Sequence, residues 1–373
     1  MSLRNVLHKD TLFKIHGWVG MKLSILFFIV CFSGTLAVFS HEMDWLFNPA
    51  MRATPSETFA PRNLAVKNIL EAFPEGQITY WERSREPYLT DIAYVKYPGG
   101  FEYVLVNPYT GDVQGSVEVT VQRFFRDLHY FLFIPGEVGN YLVLFFGLVL
   151  VVSLITGMLY YKDWYKKLFV LKIGRGTQAF YSSLHKLMGA WSIPFMILIG
   201  GTSIWYLVER SDIPKISPYL DVHVPPVSMP GDTATWNVME LDYDRLEAIA
   251  EEAIPGLVVK DLIPPASFEQ PVYFTGTTAN TPLVRHRANR VYIDPHTSKV
   301  LHVQRADEIN TITWLNDIAD PLHFGYWGGL ITKVIWFILG LALSALALTG
   351  PWLYLKRRNK VNRLMRERSV VHG

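Results

Sequence analysis

The chain has 373 residues, 50% of them hydrophobic and 14% aromatic, with a formal net charge of +2 at pH 7 and a mean hydropathy of +0.17. That composition excludes a wholly water-soluble protein and predicts a membrane protein with soluble parts; the lipid bilayer is an expected partner and nucleic acid is not. A single cysteine, Cys31, excludes an intramolecular disulfide.

In chain order, basic residues (Arg4, Lys9, Lys14) precede a first apolar run, His16 to Phe39, long enough to span about 30 Å of hydrocarbon. The run opens Ile15-His16-Gly17-Trp18-Val19-Gly20. Glycine four residues after histidine lies one turn along the same face, where a neighbouring helix or a flat ligand can come close. The polar segment that follows contains a helix ending at Phe73-Pro74-Glu75-Gly76, then alternating strands that close on Asn107-Pro108-Tyr109-Thr110-Gly111. Proline fixes φ in that turn and the side chain before it caps the hairpin. Next comes Arg126-Asp127-Leu128-His129-Tyr130-Phe131, leading through a Pro-Gly turn into a second apolar run, Tyr141 to Tyr161.

After a basic connection (Lys162, Lys166, Lys167, Lys172, Arg175) the pattern repeats. Leu184-His185-Lys186-Leu187-Met188-Gly189 opens the third run, Leu187 to Leu207. A second polar segment has its own helix ending at Ile254-Pro255-Gly256 and its own turn, Asp294-Pro295-His296-Thr297-Ser298. Asp320-Pro321-Leu322-His323-Phe324 leads into the fourth run, Ile331 to Leu355, and a basic tail. The expected fold is an α+β integral membrane protein: a four-transmembrane-helix bundle with two soluble α+β domains, built by internal duplication. The expected divisions are 1–41 (N-terminus and first span), 42–127 (first soluble domain), 128–162 (second span), 163–180 (loop), 181–208 (third span), 209–321 (second soluble domain), 322–356 (fourth span) and 357–373 (tail).

Basic residues at both termini and in the central connection place those segments in the cytoplasm and both soluble domains outside, in the periplasm of a Gram-negative cell. Both copies start inside, so they are parallel and related by a pseudo-two-fold axis along the membrane normal. His16 then pairs with His185 near the cytoplasmic face, and His129 with His323 near the outer face. Two facing imidazoles suit the axial positions of one haem iron in a helical bundle, and without a Cys-x-x-Cys-His motif the haem is non-covalent b-type. The 25-residue interval from His16 to His41 corresponds to roughly 37 Å of helix, too far for one haem to reach both faces, so two are expected. His41 is a reserve ligand. Lys14, Lys186 and Arg175 inside, and Arg123 and Arg126 outside, are candidates for the haem propionates.

The Asn/Asp-Pro-x-Thr hairpins, the helices ending in Pro-Gly and the spans opening with Ile-His or Leu-His resemble the PepSY-associated transmembrane family, most closely inner-membrane siderophore reductases of the FoxB type. The resemblance covers about Leu12 to Arg358. It implies two PepSY-like domains, two b haems on His16, His185, His129 and His323, and an oxidoreductase that passes electrons to a ferric siderophore in the periplasm, favouring the hydroxamate type. Tyr130, Phe131, Tyr326, Arg285 and Arg287 are candidates for the docking surface. No dinucleotide fingerprint is visible, so the donor is a separate cytoplasmic reductase, a quinol or a soluble carrier. Two other classes compete: a PepSY peptide-binding module whose spans only anchor it, and a transporter. Against the transporter, Pro194 is expected to interrupt the third span alone, the first having Ser24 at the matching offset.

Overall fold

The computed structural model describes residues 8–228, 237–280 and 283–371; Arg4 lies outside them. Its main elements in chain order are α1 (Lys9–Lys22), α2 (Ser24–Ala37), α3 (Ser40–Phe47), α4 (Arg62–Ala72), β1 (Gln77–Glu82), β2 (Asp91–Tyr97), β3 (Gly100–Val106), β4 (Val113–Val117), α5 (Val121–Phe131), α6 (Glu137–Tyr160), α7 (Thr177–Trp191), α8 (Ile193–Ser211), α9 (Tyr243–Ala253), β5 (Val258–Ile263), β6 (Val272–Thr277), β7 (Asn289–Ile293), β8 (Val300–Gln304), α10 (Thr311–Phe324) and α11 (Gly329–Val371). They form two compact units. A helix unit takes Met1–Phe39, Phe125–Ser211 and Leu322–Gly373, and a sheet unit takes Ser40–Phe124 and Asp212–Pro321.

In the helix unit, α6 and the stretch Gly329–Lys360 of α11 are each long and apolar enough to cross a membrane, and there are up to four spans if each bent pair counts as one. The bends overturn the expectation that only the third apolar run is interrupted: α1 and α2 meet at 71°, and α7 and α8 at 61°. Pro194 accounts for the second break, because it has no N–H to continue the ladder and is tolerated in the first turn of α8. At the first break, Ser24 Oγ donates to Met21 O (3.2 Å), taking a carbonyl that a continuous helix would use itself. Past the breaks the elements pack through apolar faces, with Leu150, Leu154, Ile193, Phe195, Met196 and Leu343 forming one buried cluster. α5 stops just beyond His129, where Leu132 and Phe133 both adopt left-handed φ (53° and 55°), a conformation that costs non-glycine residues about 1–3 kcal/mol each.

The sheet unit corrects the expectation of two separate soluble domains. The eight strands among the described residues form one antiparallel sheet in the order β4-β3-β2-β1-β5-β6-β7-β8, and the two four-stranded halves join through β1 and β5 at Trp81↔Leu262 and Glu82↔Asp261. Joining there removes two exposed strand edges. It also merges the cores: Ile69, Trp81 and Val104 from one half and Tyr243, Phe274 and Ile293 from the other share one buried cluster. The starts of α4 and α9 cap each other, since Asn63 Oδ1 accepts from Tyr243 N (2.9 Å) and the Asp244 carboxylate accepts from Arg62 N and Asn63 N. The two Asn/Asp-Pro turns have the same hydrogen bonding. Asn107 Oδ1 accepts from Tyr109 N and Thr110 N, and Asp294 Oδ1 from His296 N and Thr297 N. Ser298 replaces Gly111 and still adopts positive φ (58° against 78°).

Candidate functional site

The helix unit brings four histidines together as two pairs. His16 on α1 and His185 on α7 have ring centroids 6.4 Å apart with planes at 80°. His129 on α5 and His323 on α10 have centroids 6.2 Å apart with planes at 43°. A metal–imidazole bond of about 2 Å, plus about 1.1 Å from nitrogen to ring centre, puts two imidazoles on opposite sides of one metal about 6.2 Å apart. Both pairs have that spacing.

Each ring is anchored through Nδ1 by an element of the helix unit that carries neither histidine of its pair. His16 Nδ1 bonds Ser153 O (3.1 Å) and Thr156 Oγ1 (3.3 Å) on α6, and His185 Nδ1 bonds Thr349 Oγ1 (2.8 Å) on α11. His129 Nδ1 bonds Val30 O (2.8 Å) on α2, and His323 Nδ1 bonds Thr202 Oγ1 (2.7 Å) on α8. These contacts assign the tautomer. A carbonyl can only accept. Each threonine hydroxyl already directs its proton to the carbonyl one turn back: Thr156 to Val152 (2.6 Å), Thr202 to Leu198 (2.9 Å) and Thr349 to Ala345 (2.8 Å). Nδ1 is therefore the protonated nitrogen in His16 and His129, which face carbonyls, and Nε2 carries their lone pair; the threonine contacts of His185 and His323 fit the same tautomer. Holding the other ring nitrogen in this way is how proteins orient a ligating histidine.

Glycine makes room for one of the rings. A Cβ at Gly34 would lie 2.6 Å from His129 Cε1, so the ring reaches Val30 O only because residue 34 has no side chain. A Cβ at Gly157 or Gly350, each following an anchoring threonine, would meet the Cε1 of His16 or His185 at an ordinary 3.4 or 3.5 Å. Gly20 and Gly189 line a cavity of about 680 Å³ that also includes His16 and His185. A Cβ at Gly20 would meet nothing within 4 Å, so this glycine faces open space rather than a neighbouring helix. The cavity walls are chiefly apolar, with Arg175, Lys186, Arg357 and Lys360 the basic residues lining it.

Of the expected propionate partners, Arg175 and Lys186 line the cavity. Lys14 is exposed on α1 and is not among the lining residues. Arg126 is exposed on α5 three residues before His129, and Arg123 is half-buried in the sheet unit. His41 is on α3, in the sheet unit, beyond the end of α2 at Ala37. The straight-helix distance from His16 to His41 does not hold, because the chain bends by 71° between α1 and α2. His129 meets α2 at Val30, 14 residues after His16, and thus at most about 21 Å of helical rise from it. Arg285 and Arg287 are engaged within the sheet unit: Arg285 pairs with Asp317 and Asp320 (3.2 Å to the latter), and Arg287 Nε lies 4.0 Å from Asp261. Sequence reasoning missed the anchors (Ser153, Thr156, Val30, Thr202, Thr349) and the cavity cations Arg357 and Lys360. The readable signal was a doubled dipeptide, Thr156-Gly157 and Thr349-Gly350, near the ends of the second and fourth apolar runs.

The apolar helices and the paired imidazoles define a membrane protein with a histidine-lined helix unit and a mixed helix-and-sheet fold. The family described as the PepSY-associated TM region matches residues 13–357, and the chain belongs to it. No curated protein matches the chain.

Proposed function

We propose that the chain is a di-haem b transmembrane electron carrier that reduces ferric siderophores in the periplasm with electrons from the cytoplasmic side of a bacterial inner membrane. The observation that carries this reading is the two facing histidine pairs, with ring centroids 6.4 and 6.2 Å apart and every Nδ1 bonded to the protein. A bare transition metal would ask for three or four protein donors, and among the described residues no three such side chains converge. Haem iron needs only two from the protein.

In this reading each bent pair is one span, the two halves are a parallel duplication, both termini are cytoplasmic and the sheet unit is periplasmic. Haem b supplies a one-electron couple at each histidine pair. His16 and His185 hold one group and His129 and His323 the other, while the Nδ1 anchors fix the rings. Arg175, Lys186, Arg357 and Lys360 are the cations available to propionates at the first site, and its apolar walls exclude water. At the periplasmic surface a siderophore's Fe(III), held by charged oxygen donors, accepts one electron. The resulting Fe(II) is held far more weakly and leaves, with no bond of the siderophore broken. Tyr130, Phe131 and Tyr326 are the docking candidates; Arg285 and Arg287 are less suited, being committed to carboxylates. The donor is a separate reductase, a quinol or a soluble carrier.

The test is to mix dithionite-reduced protein, freed of excess reductant, with ferric hydroxamate siderophores under anaerobic conditions. Reoxidation of the haem bands with one trapped Fe(II) per electron is expected. Rapid reoxidation by ferricyanide but by no ferric siderophore would remove the substrate assignment. One observation favours a second reading: the matched breaks at Leu23 and Ser192 are of the kind that build solute sites in transporters. That reading predicts solute flux in proteoliposomes without any electron donor.

A further inference from the structure

The two histidine pairs share a spacing and differ in twist, 80° between the rings of His16 and His185 and 43° between those of His129 and His323. A histidine ring turns easily about its last torsion, so its plane is set by whatever holds Nδ1. In one ring of each pair a threonine hydroxyl is the sole Nδ1 anchor shown, Thr349 for His185 and Thr202 for His323, whereas His129 is held by a carbonyl and His16 by a carbonyl with Thr156 beside it. Each hydroxyl has its own proton fixed on the preceding turn of its helix, so it accepts from a set direction.

We propose that Thr349 and Thr202 are positioning residues that hold the axial imidazoles at unlike angles and thereby make the two haems electronically different. This rests on the di-haem reading. An imidazole donates π density to the iron d orbital perpendicular to its ring plane. Near-perpendicular rings load the two dπ orbitals alike and leave them nearly degenerate, which gives a highly anisotropic electron paramagnetic resonance spectrum with a large maximal g. Rings closer to parallel load one orbital more than the other, split the pair and give an ordinary rhombic signal. The His16/His185 site is the anisotropic one, and the His129/His323 site is the more rhombic.

The experiment is low-temperature electron paramagnetic resonance of the oxidised full-length protein, with the haem-to-protein ratio measured on the same samples. The variants are Thr349→Ala, Thr349→Ser, Thr202→Ala and Thr202→Ser. Wild type is expected to show two low-spin signals of equal weight and different maximal g. Thr349→Ala moves only the signal with the larger g, Thr202→Ala moves only the other, and each serine variant restores the wild-type position. If an alanine variant loses its haem, the serine variant decides: wild-type g supports the assignment, and continued loss overturns it. Two haems with identical signals, or alanine variants that leave both signals in place, would overturn the inference while sparing the di-haem reading. A chain that binds no haem would overturn both.

Discussion

Substituting Gly34 by alanine tests whether the second histidine pair depends on the close approach of α2. A Cβ there would lie 2.6 Å from His129 Cε1 and 2.8 Å from Nδ1, against a comfortable carbon–carbon contact of about 3.5–4.0 Å. Helix propensity favours the alanine by about 1 kcal/mol, but overpacking costs about 1–3 kcal/mol. The three nearest atoms all belong to the His129 ring, so the ring must retreat by about 1 Å. That would stretch its 2.8 Å bond to Val30 O to about 3.8 Å, outside hydrogen-bonding range. Gly34→Ala is therefore expected to fold and to keep the first haem while losing or converting the second. Gly350→Ala is the control: its Cβ meets His185 Cε1 at an ordinary 3.5 Å, and both haems should remain. The assay is the haem-to-protein ratio and reduced-minus-oxidised optical spectrum of the purified variants. Two unchanged haems in Gly34→Ala would refute the packing argument.

Three further outcomes follow from the sheet unit and the cavity. Arg62 is 2% exposed and ties Glu247 (2.7 Å) to Asp91 (3.3 Å); Arg62→Ala leaves both carboxylates to Arg83 (3.8 and 3.3 Å) and should cost about 1.5–3 kcal/mol, the worth of the charged hydrogen bonds lost. Denaturant unfolding followed through tryptophan fluorescence reads this out, Trp81 being buried with Nε1 on Asp91, and a loss below about 1 kcal/mol would contradict it. Burial opposes the charge on Asp294, but hydrogen bonds from Ser228, His296 and Thr297 outweigh it and hold the carboxyl at about 2. A folded-state value below the usual one of about 3.9 means the ionised group stabilises the fold above roughly pH 4 and that this contribution fades as pH falls towards 2. Asp294→Asn should flatten stability against pH in that window, and an unchanged slope would show that Asp294 is not the group responsible. Lys186→Gln combined with Arg175→Gln should speed haem loss to apomyoglobin from the first site alone, whereas equal loss from both sites would detach these cations from haem binding.

Much of the site was legible because histidine, glycine and basic residues recur at matched offsets in the two halves. Ile15-His16 and Leu184-His185 fall midway along α1 and α7, and His129 and His323 in the last turn of α5 and α10. The bends were half legible: Pro194 announces one break, but Leu23-Ser24 announces nothing until the Ser24 hydroxyl takes the Met21 carbonyl. The anchors were harder to read. A threonine in an apolar helix usually bonds its own backbone, as Thr156, Thr202 and Thr349 do, and only tertiary packing reveals that the same oxygen accepts from a histidine. Val30 contributes a carbonyl, which no side-chain pattern encodes. The join between β1 and β5 was invisible for a related reason, since alternating strands specify a buried face and not which edges meet. Arg357 and Lys360 look like a simple basic tail, yet α11 continues through them to Val371, because lysine and arginine are good helix formers.

The central claim is that the two histidine pairs each hold a b haem, and a single preparation tests it. The full-length protein, expressed with ample haem and purified in detergent, is quantified for haem per chain and scanned optically, oxidised and dithionite-reduced, beside His185→Ala and His323→Ala. Two low-spin b haems per wild-type chain are predicted, with His185→Ala losing or converting the one on His16 and His323→Ala the one on His129. A colourless wild type, or two haems that survive both substitutions unchanged, would contradict it.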